Sequence, residues 1–310
     1  MQRPLRALAA GGLLLCLAPA ATRGAPTIAA AGDIACPRGH PAFNGGHGTG
    51  SKCRQAATAK LLLGGGYSAV LPLGDLIDPG PTLRNFRAVY RRTWGRFKRK
   101  THPTLGNHDY GVPDARGYFD YFNGRGDTHG RAGRRGAGWY SYEVGHWHLV
   151  ALNSNCGKVG CGPRSNQVRW LKRDLRRHAK RRCVLAYWHH PRFSSGFHGH
   201  DQPTRTFWRV LFRAGADVIL NGHDHFYERF APQTPSGVRN VGRGIVQFTV
   251  GTGGRSLFPI GAARRNSEVQ IAGRFGILRM QLGPGDFSWR FLSTPGEEAL
   301  DQGRQPCTPR

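Results

Sequence analysis

Five short polar motifs constrain this chain more than any other feature. In order they are Gly32-Asp33, Gly74-Asp75-Leu76-Ile77-Asp78, Gly106-Asn107-His108-Asp109, His189-His190-Pro191 and Gly222-His223-Asp224-His225. Most stand where an apolar run stops and a glycine opens a loop. Asp33 follows Ile28–Ala31, Asp75 follows Ala69–Leu73, His189 follows Val184–Trp188, and His223 follows Val218–Leu220. Short Val-, Leu-, Ile- and Ala-rich runs of this kind read as buried strands. In layered α/β chains, functional side chains gather beyond the C-terminal ends of such strands. Carboxylates, a carboxamide and imidazoles collected there are what a two-metal hydrolytic site requires.

In full, the strand-like runs lie at 27–31, 68–73, 147–153, 183–188, 217–220 and 245–250, with 287–291 as a late strand. Helical spacing appears over 54–63, over 83–98 (Leu83, Phe86, Val89, Tyr90, Trp94, Phe97) and over 165–179 (Val168, Leu171, Leu175). The last of these carries Arg169, Lys172, Arg173 and Arg176 on its other face, with Asp174 offsetting them. Loops rich in Gly, Pro and Arg fill 36–52, 111–138 and 252–268. Alternating strands and helices predict an α/β fold around one core. The segment 232–310 carries no motif for chemistry and is expected to complete a second sheet.

Residues 1–24 read as a signal peptide. Arg3 and Arg6 precede the apolar run 8–17, and Ala18-Pro19-Ala20 is a small-residue cleavage stretch. The run is too short to span a bilayer, so the expectation is a secreted or extracytoplasmic domain over 25–310 with no membrane span. Beyond Cys16 six cysteines remain, and an even number in an oxidising compartment suggests disulfides. Local spacing favours Cys36–Cys53 and Cys156–Cys161, which leaves Cys183 with Cys307 to anchor the C-terminal tail. No CxxC pair supports a thiolate zinc site.

The formal charge of +27 falls by three, to +24, without Arg3, Arg6 and Arg23. Such a charge attracts anionic substrates and permits non-specific polyanion contact. Basic residues are spread along the whole chain, and no groove-reading motif accompanies them.

Each motif has a chemical reading of its own. Gly before Asp33 and Asp75 lets the backbone turn sharply, and one carboxylate can bridge two cations. Asn107 offers a neutral oxygen. His108 can donate a proton or face substrate, with Asp109 orienting its ring. His223 and His225, two residues apart, point opposite ways and can reach two metals. There is no Gly-x-Ser-x-Gly elbow and no Walker loop.

Taken together, the series resembles the calcineurin-like metallophosphoesterase superfamily over about residues 27–230, nearest its purple acid phosphatase-like branch. The resemblance implies a two-sheet β-sandwich flanked by helices, with a binuclear metal centre at the loops. It implies one metal held by Asp33, Asp75 and His225, and a second held by Asp75, Asn107, His189 and His223. His189 is preferred over His190 because the family's ligand lies two residues before the proline. His198, nine residues after His189, matches a substrate-facing histidine of the purple acid phosphatases, with His200 as the alternative; His108 and His198 are the implied catalytic groups.

The chain departs from the family at Asp33-Ile34-Ala35, where Asp-x-His is usual, and at Asp78, where the purple enzymes carry tyrosine. Asp78, His40 or His47 could complete the first site. The cofactors implied are two divalent or trivalent ions from among Fe, Mn, Zn and Ca. The implied reaction is hydrolysis of a phosphate mono- or diester by a metal-activated hydroxide. Two other readings remain: a polyanion-binding protein with a degraded metal site, and hydrolysis of nucleic acid itself.

Overall fold

The structure is a computed structural model, and it describes residues 24–180, 183–296 and 299–309. The expected signal peptide therefore lies, apart from Gly24, outside the described residues.

Twelve strands are described: β1 (Thr27–Ala31), β2 (Ala69–Pro72), β3 (Tyr140–Val144), β4 (Trp147–Ala151), β5 (Cys183–Tyr187), β6 (Val218–Asn221), β7 (Tyr227–Gln233), β8 (Ile245–Val250), β9 (Ser267–Ile271), β10 (Gly276–Leu282), β11 (Asp286–Ser293) and β12 (Ala299–Pro306). The helices are α1 (Gln55–Lys60), α2 (Leu83–Ala88), α3 (Arg116–Phe122), α4 (Cys156–Val159), α5 (Asn166–Arg177) and α6 (Arg205–Arg213). One sheet runs β12-β11-β10-β1-β2, and the other runs β3-β4-β5-β6-β8-β7-β9. The expected two-sheet, helix-flanked architecture is thus present.

The sheets face each other across an aromatic core. Tyr227 of one stacks on Phe291 of the other at 4.2 Å, and Trp147 Nε1 crosses to donate to the Gly283 carbonyl at 2.8 Å. Alternation along β5 shows the layering. Cys183, Leu185 and Tyr187 join this core, while Val184 and Ala186 join a second cluster with Val168, Leu171, Trp208 and Leu211 of α5 and α6. Burying a large side chain such as these stabilises by about 1.5–3 kcal/mol each.

Three local expectations change. The pattern over 83–98 does not form one helix. Thr82 caps α2 by accepting from Asn85 N at 3.2 Å, but the α-helix ends at Ala88 and short 3-10 turns follow at Tyr90–Arg92 and Trp94–Lys100. The Thr93 hydroxyl bonds back to the Val89 and Tyr90 carbonyls, which competes with helical pairing. The loop expected over 111–138 contains α3. The segment 232–310 serves both sheets, and the expected tail is strand β12, paired with β11.

All three expected disulfides are present: Cys36–Cys53, Cys156–Cys161 and Cys183–Cys307. Among the described residues, no helix is long and apolar enough to cross a membrane.

Candidate metal centre

Strand register brings the motifs together. β1 and β2 are parallel, with Ala31 opposite Pro72, so Gly32-Asp33 and Gly74-Asp75 leave the sheet side by side. Asp33 N donates to the Gly74 carbonyl at 3.0 Å, and Ile34 N donates to the Asp75 carbonyl at 3.0 Å. In the second sheet β5 and β6 are parallel, and Gly222 N donates to the His189 carbonyl at 3.0 Å. Gly32 N, donating to the Val250 carbonyl at 2.8 Å, joins the two sheets at the same end. Both sets of loops therefore converge on one site.

The turns there are tight. Asp33, Asp75 and His223 adopt φ of 58°, 50° and 73°, a left-handed conformation that costs a non-glycine residue about 1–3 kcal/mol and clusters at functional sites. At Gly106 a Cβ would lie 2.0 Å from Asp75 Oδ1, so only glycine lets the Asn107 loop approach that carboxylate.

Ligand-type atoms of Asp33, Asp75 and His189 lie within 4.8 Å of one another. His189 is fully buried, and its Nδ1 lies 2.8 Å from the Leu73 carbonyl. A carbonyl only accepts, so Nδ1 carries a proton and Nε2 is the ring atom turned toward the site. Nε2 points at Asp75 Oδ2, 3.2 Å away, without a hydrogen bond. His225 mirrors this. Its Nδ1 meets Ser256 Oγ at 2.8 Å and its Nε2 stands 3.2 Å from Asp33 Oδ1; Phe258 stacks on its ring at 3.9 Å. His223, two residues earlier, lies on the other side, its ring centre 5.0 Å from His189.

The donor set fits a cation. Asp33 Oδ1, Asn107 Oδ1 and His189 Nε2 are all buried and without hydrogen-bond partners. Orphaned buried polar atoms of this kind call for a water or an ion as partner. The electrostatics agree. Burial disfavours charge on His189, yet the Asp75 and Asp33 carboxylates hold its pKa well above the usual imidazole range. Burial likewise raises the Asp75 pKa, and the adjacent His189 and His108 more than reverse it. Paired carboxylates that draw positive charge this strongly suit a metal.

The residues expected to act on substrate lie at the rim. His108 is half exposed, with Nδ1 2.9 Å from Asp78 Oδ1 and Nε2 4.0 Å from Asp75 Oδ2. The hydrogen bond to Asp78, chiefly, raises its pKa to about 9. His198 Nδ1 lies 2.7 Å from Asp224 Oδ1, and its ring stacks on His223 at 4.2 Å. His200 is turned away, its Nδ1 accepting from Ser194 N at 3.1 Å.

Several roles differ from expectation. Asp109 does not orient His108; it accepts from the amides of Asp75, Leu76 and Gly106. Asp78 spans His108 and Arg255, whose Nε lies 3.0 Å away. His40 Nδ1 accepts from Ala42 N at 3.1 Å and touches Cys53 Sγ at 3.3 Å, while His47 is exposed. His190 joins the cluster, its Nδ1 2.7 Å from Ser154 Oγ and its ring 4.5 Å from that of His223. Asp224, which also accepts from Ser194 Oγ, was given no role by the sequence. Its place between His223 and His225 was the available signal.

Residues 26–227, about two thirds of the chain, match the family model described as calcineurin-like phosphoesterase. Purple acid phosphatase 15 of Arabidopsis thaliana is 26% identical over 149 residues, which is 44% of this chain and 27% of that protein. Purple acid phosphatase 18 of the same plant is 29% identical over 158 residues, 49% of this chain and 35% of that protein. The chain thus spans roughly a third of the length of these relatives. Among solved structures, the purple acid phosphatase PPD1 of yellow lupin (Lupinus luteus) superposes with a TM-score of 0.72 at 14% identity, covering 91% of this chain and 53% of that one. GAP50 of Plasmodium superposes at 0.64 with 14% identity, covering 92% and 90%. These likenesses show a shared fold, and the matched family and its purple acid phosphatase relatives imply divalent or transition metal ions. By its motifs, its fold and the extent of the match, this chain belongs to the calcineurin-like phosphoesterase family, on the purple acid phosphatase-like side of it.

Proposed function

We propose that the chain is an exported, metal-dependent phosphoesterase that hydrolyses phosphate mono- or diesters at a binuclear centre. The observation that carries this is the set of three buried, unpartnered ligand atoms on Asp33, Asn107 and His189. Asp33, Asp75 and His225 would hold one ion, and Asp75, Asn107, His189 and His223 the other. Bound there, two cations would polarise the phosphoryl oxygens and acidify a water.

The remaining work falls to the chain's own side chains. Asp78 holds His108 at the mouth, where its imidazolium can stabilise charge developing on the phosphoryl group or protonate the leaving oxygen. Asp224 fixes the His198 tautomer with the proton on Nδ1, so Nε2 is the atom left to meet substrate. The three disulfides suit an oxidising compartment.

A second reading, polyanion contact, draws on two adjoining clefts that share Arg213. One is lined by Lys172, Arg176 and Arg243, and the other by Arg205 and Arg209. Among the described residues none of these side chains forms an ion pair.

Metal reconstitution tests the first reading. Purified protein is stripped with chelator and supplied with Mn, Zn, Fe or Ca, and hydrolysis of p-nitrophenyl phosphate and of its bis ester is followed. Activity that returns with metal and vanishes in Asp75→Asn and His223→Ala is the expected result. Folded protein inactive with every metal, yet binding polyanions in a salt-sensitive way, would favour the second reading.

A further inference from the structure

One phenyl ring at the rim of the candidate centre is held out in water. Phe197 is 70% exposed, and among the described residues no other Phe, Tyr or Trp side chain is exposed. A lone apolar side chain on a surface needs no explanation, but Phe197 is not alone. Its ring lies 3.8 Å from that of His198 and meets Phe258 edge to face at 5.4 Å. Phe258, half-buried, lies flat on His225 at 3.9 Å, and His198 stacks on His223 at 4.2 Å. The rings run unbroken from His223 through His198, Phe197 and Phe258 to His225. The two phenyl rings therefore form an apolar wall along one side of the centre.

Both loops that carry the wall are fixed. Before Phe197, Ser194 Oγ donates to the buried Asp224 carboxylate, and Ser195 N donates to that of Glu228 at 3.0 Å. At Gly196 a Cβ would lie 2.7 Å from Asp224 Oδ1, so only glycine lets this loop pass so close to that carboxylate. Phe258 N donates to the His225 carbonyl and Gly261 N to the Ser195 carbonyl, each at 3.1 Å, which ties the second loop to the site and to the first loop. A ring held in place before a ligand arrives costs little ordering entropy on binding.

We propose that Phe197 and Phe258 receive the organic part of the substrate and select phosphate esters whose alcohol carries a flat aromatic ring. This rests on the phosphoesterase reading and names its substrate class. Phe197 abuts the imidazole of His198, whose Nε2 is the atom left to meet substrate. A group esterified to a phosphate bound there comes up against phenyl. An aromatic ring can pack on it offset or edge to face. The hydroxyls of a polyol would lose water against it and gain no hydrogen bond.

The test compares phenyl phosphate with glycerol 2-phosphate in the metal-reconstituted full chain and in Phe197→Ala. The ratio of their kcat/KM values should fall about 2- to 12-fold in the variant, the worth of one aromatic pair, chiefly through KM for the phenyl ester. Phe197→Tyr should restore it. Phe197 is exposed, so its variants should fold, and thermal unfolding checks this. Equal losses on both esters would overturn the proposal, because they would show that Phe197 only supports His198. A second arm needs no turnover: calorimetry with phenylphosphonate and methylphosphonate. The native chain should bind the phenyl compound more tightly, and Phe197→Ala should erase the preference. A native chain that binds both alike, or neither, would also overturn it. A phenyl preference that stays intact while no ester is hydrolysed would count against the phosphoesterase reading alone.

Discussion

The Asp109 carboxylate holds the Asp75 backbone in place, accepting from its amide at 3.0 Å. The same carboxylate takes the amides of Gly106 at 2.9 Å and Leu76 at 3.3 Å, so one buried side chain binds two of the polar loops together. Its position explains how Asn107 and Asp75 come to face one centre although no ladder pairs their residues.

Replacing Asp109 by Asn removes one acceptor oxygen and sets an N–H₂ group against a backbone N–H. Leaving a buried donor unsatisfied costs about 1–3 kcal/mol. Urea unfolding of Asp109→Asn should show a loss of that size, and metal affinity should fall about 10–100-fold, as for outer partners of ligating groups. Native stability together with native affinity would refute the clamp.

Asp78 links His108 to Arg255. Asp78→Asn should keep the fold but lose the charge that holds the His108 imidazolium at the mouth of the centre. A positioned proton donor contributes about 10²–10⁴-fold, so kcat should fall by up to that range while metal content stays native. Unchanged kcat in a metal-replete variant would show that His108 needs no such partner.

Asp301 of β12 joins the two sheets. It accepts from Tyr227 OH at 2.6 Å, Arg229 Nε at 2.8 Å and Trp289 Nε1 at 3.0 Å. Burial raises its pKa, but the hydrogen bonds from Arg229 and Tyr227 and the guanidinium charge lower it overall. A depressed carboxylate contributes stability above its unfolded pKa of about 3.9 and loses it as pH falls through the lower folded value. Asp301→Ala should cost about 3–5 kcal/mol at neutral pH, and the gap to the native protein should narrow in unfolding curves taken below about pH 4. A gap that stays constant with pH would exclude an ionised Asp301.

Cys183–Cys307 closes a segment 124 residues long and pins the end of β12 to the first residue of β5. The paired Cys183→Ala and Cys307→Ala variant should lose about 2–5 kcal/mol. Thermal unfolding under non-reducing conditions measures it, and an unshifted midpoint would show the bridge to be dispensable.

The strands that carry site loops were readable because both faces of each are buried. β1, β2, β5 and β6 are buried and largely apolar, and a glycine marks or soon follows the exit of most. β9 and β12, as Ser267–Ile271 and Ala299–Pro306, are polar edge strands. They were missed because half-exposed strands draw their pairing from neighbours distant in sequence. The break after α2 was missed because apolar spacing does not report backbone competition from Thr93.

The candidate site divides in the same way. Residue types and their order after strands named Asp33, Asp75, Asn107, His108, His189, His223 and His225, and the family resemblance added His198. What each buried carboxylate does was decided by tertiary structure alone. Asp109 turns to backbone amides and Asp224 to His198. Asp174, expected to offset charge on the surface of α5, is buried against His148 and Ser141. A buried carboxylate must find donors wherever the fold brings them, and those donors belong to residues up to dozens of positions away. The sequence by itself determined which chemistry this protein can carry and where along the chain it lies. Only packing decided which groups hold that chemistry in place, because hydrogen-bond partners are chosen by proximity in space.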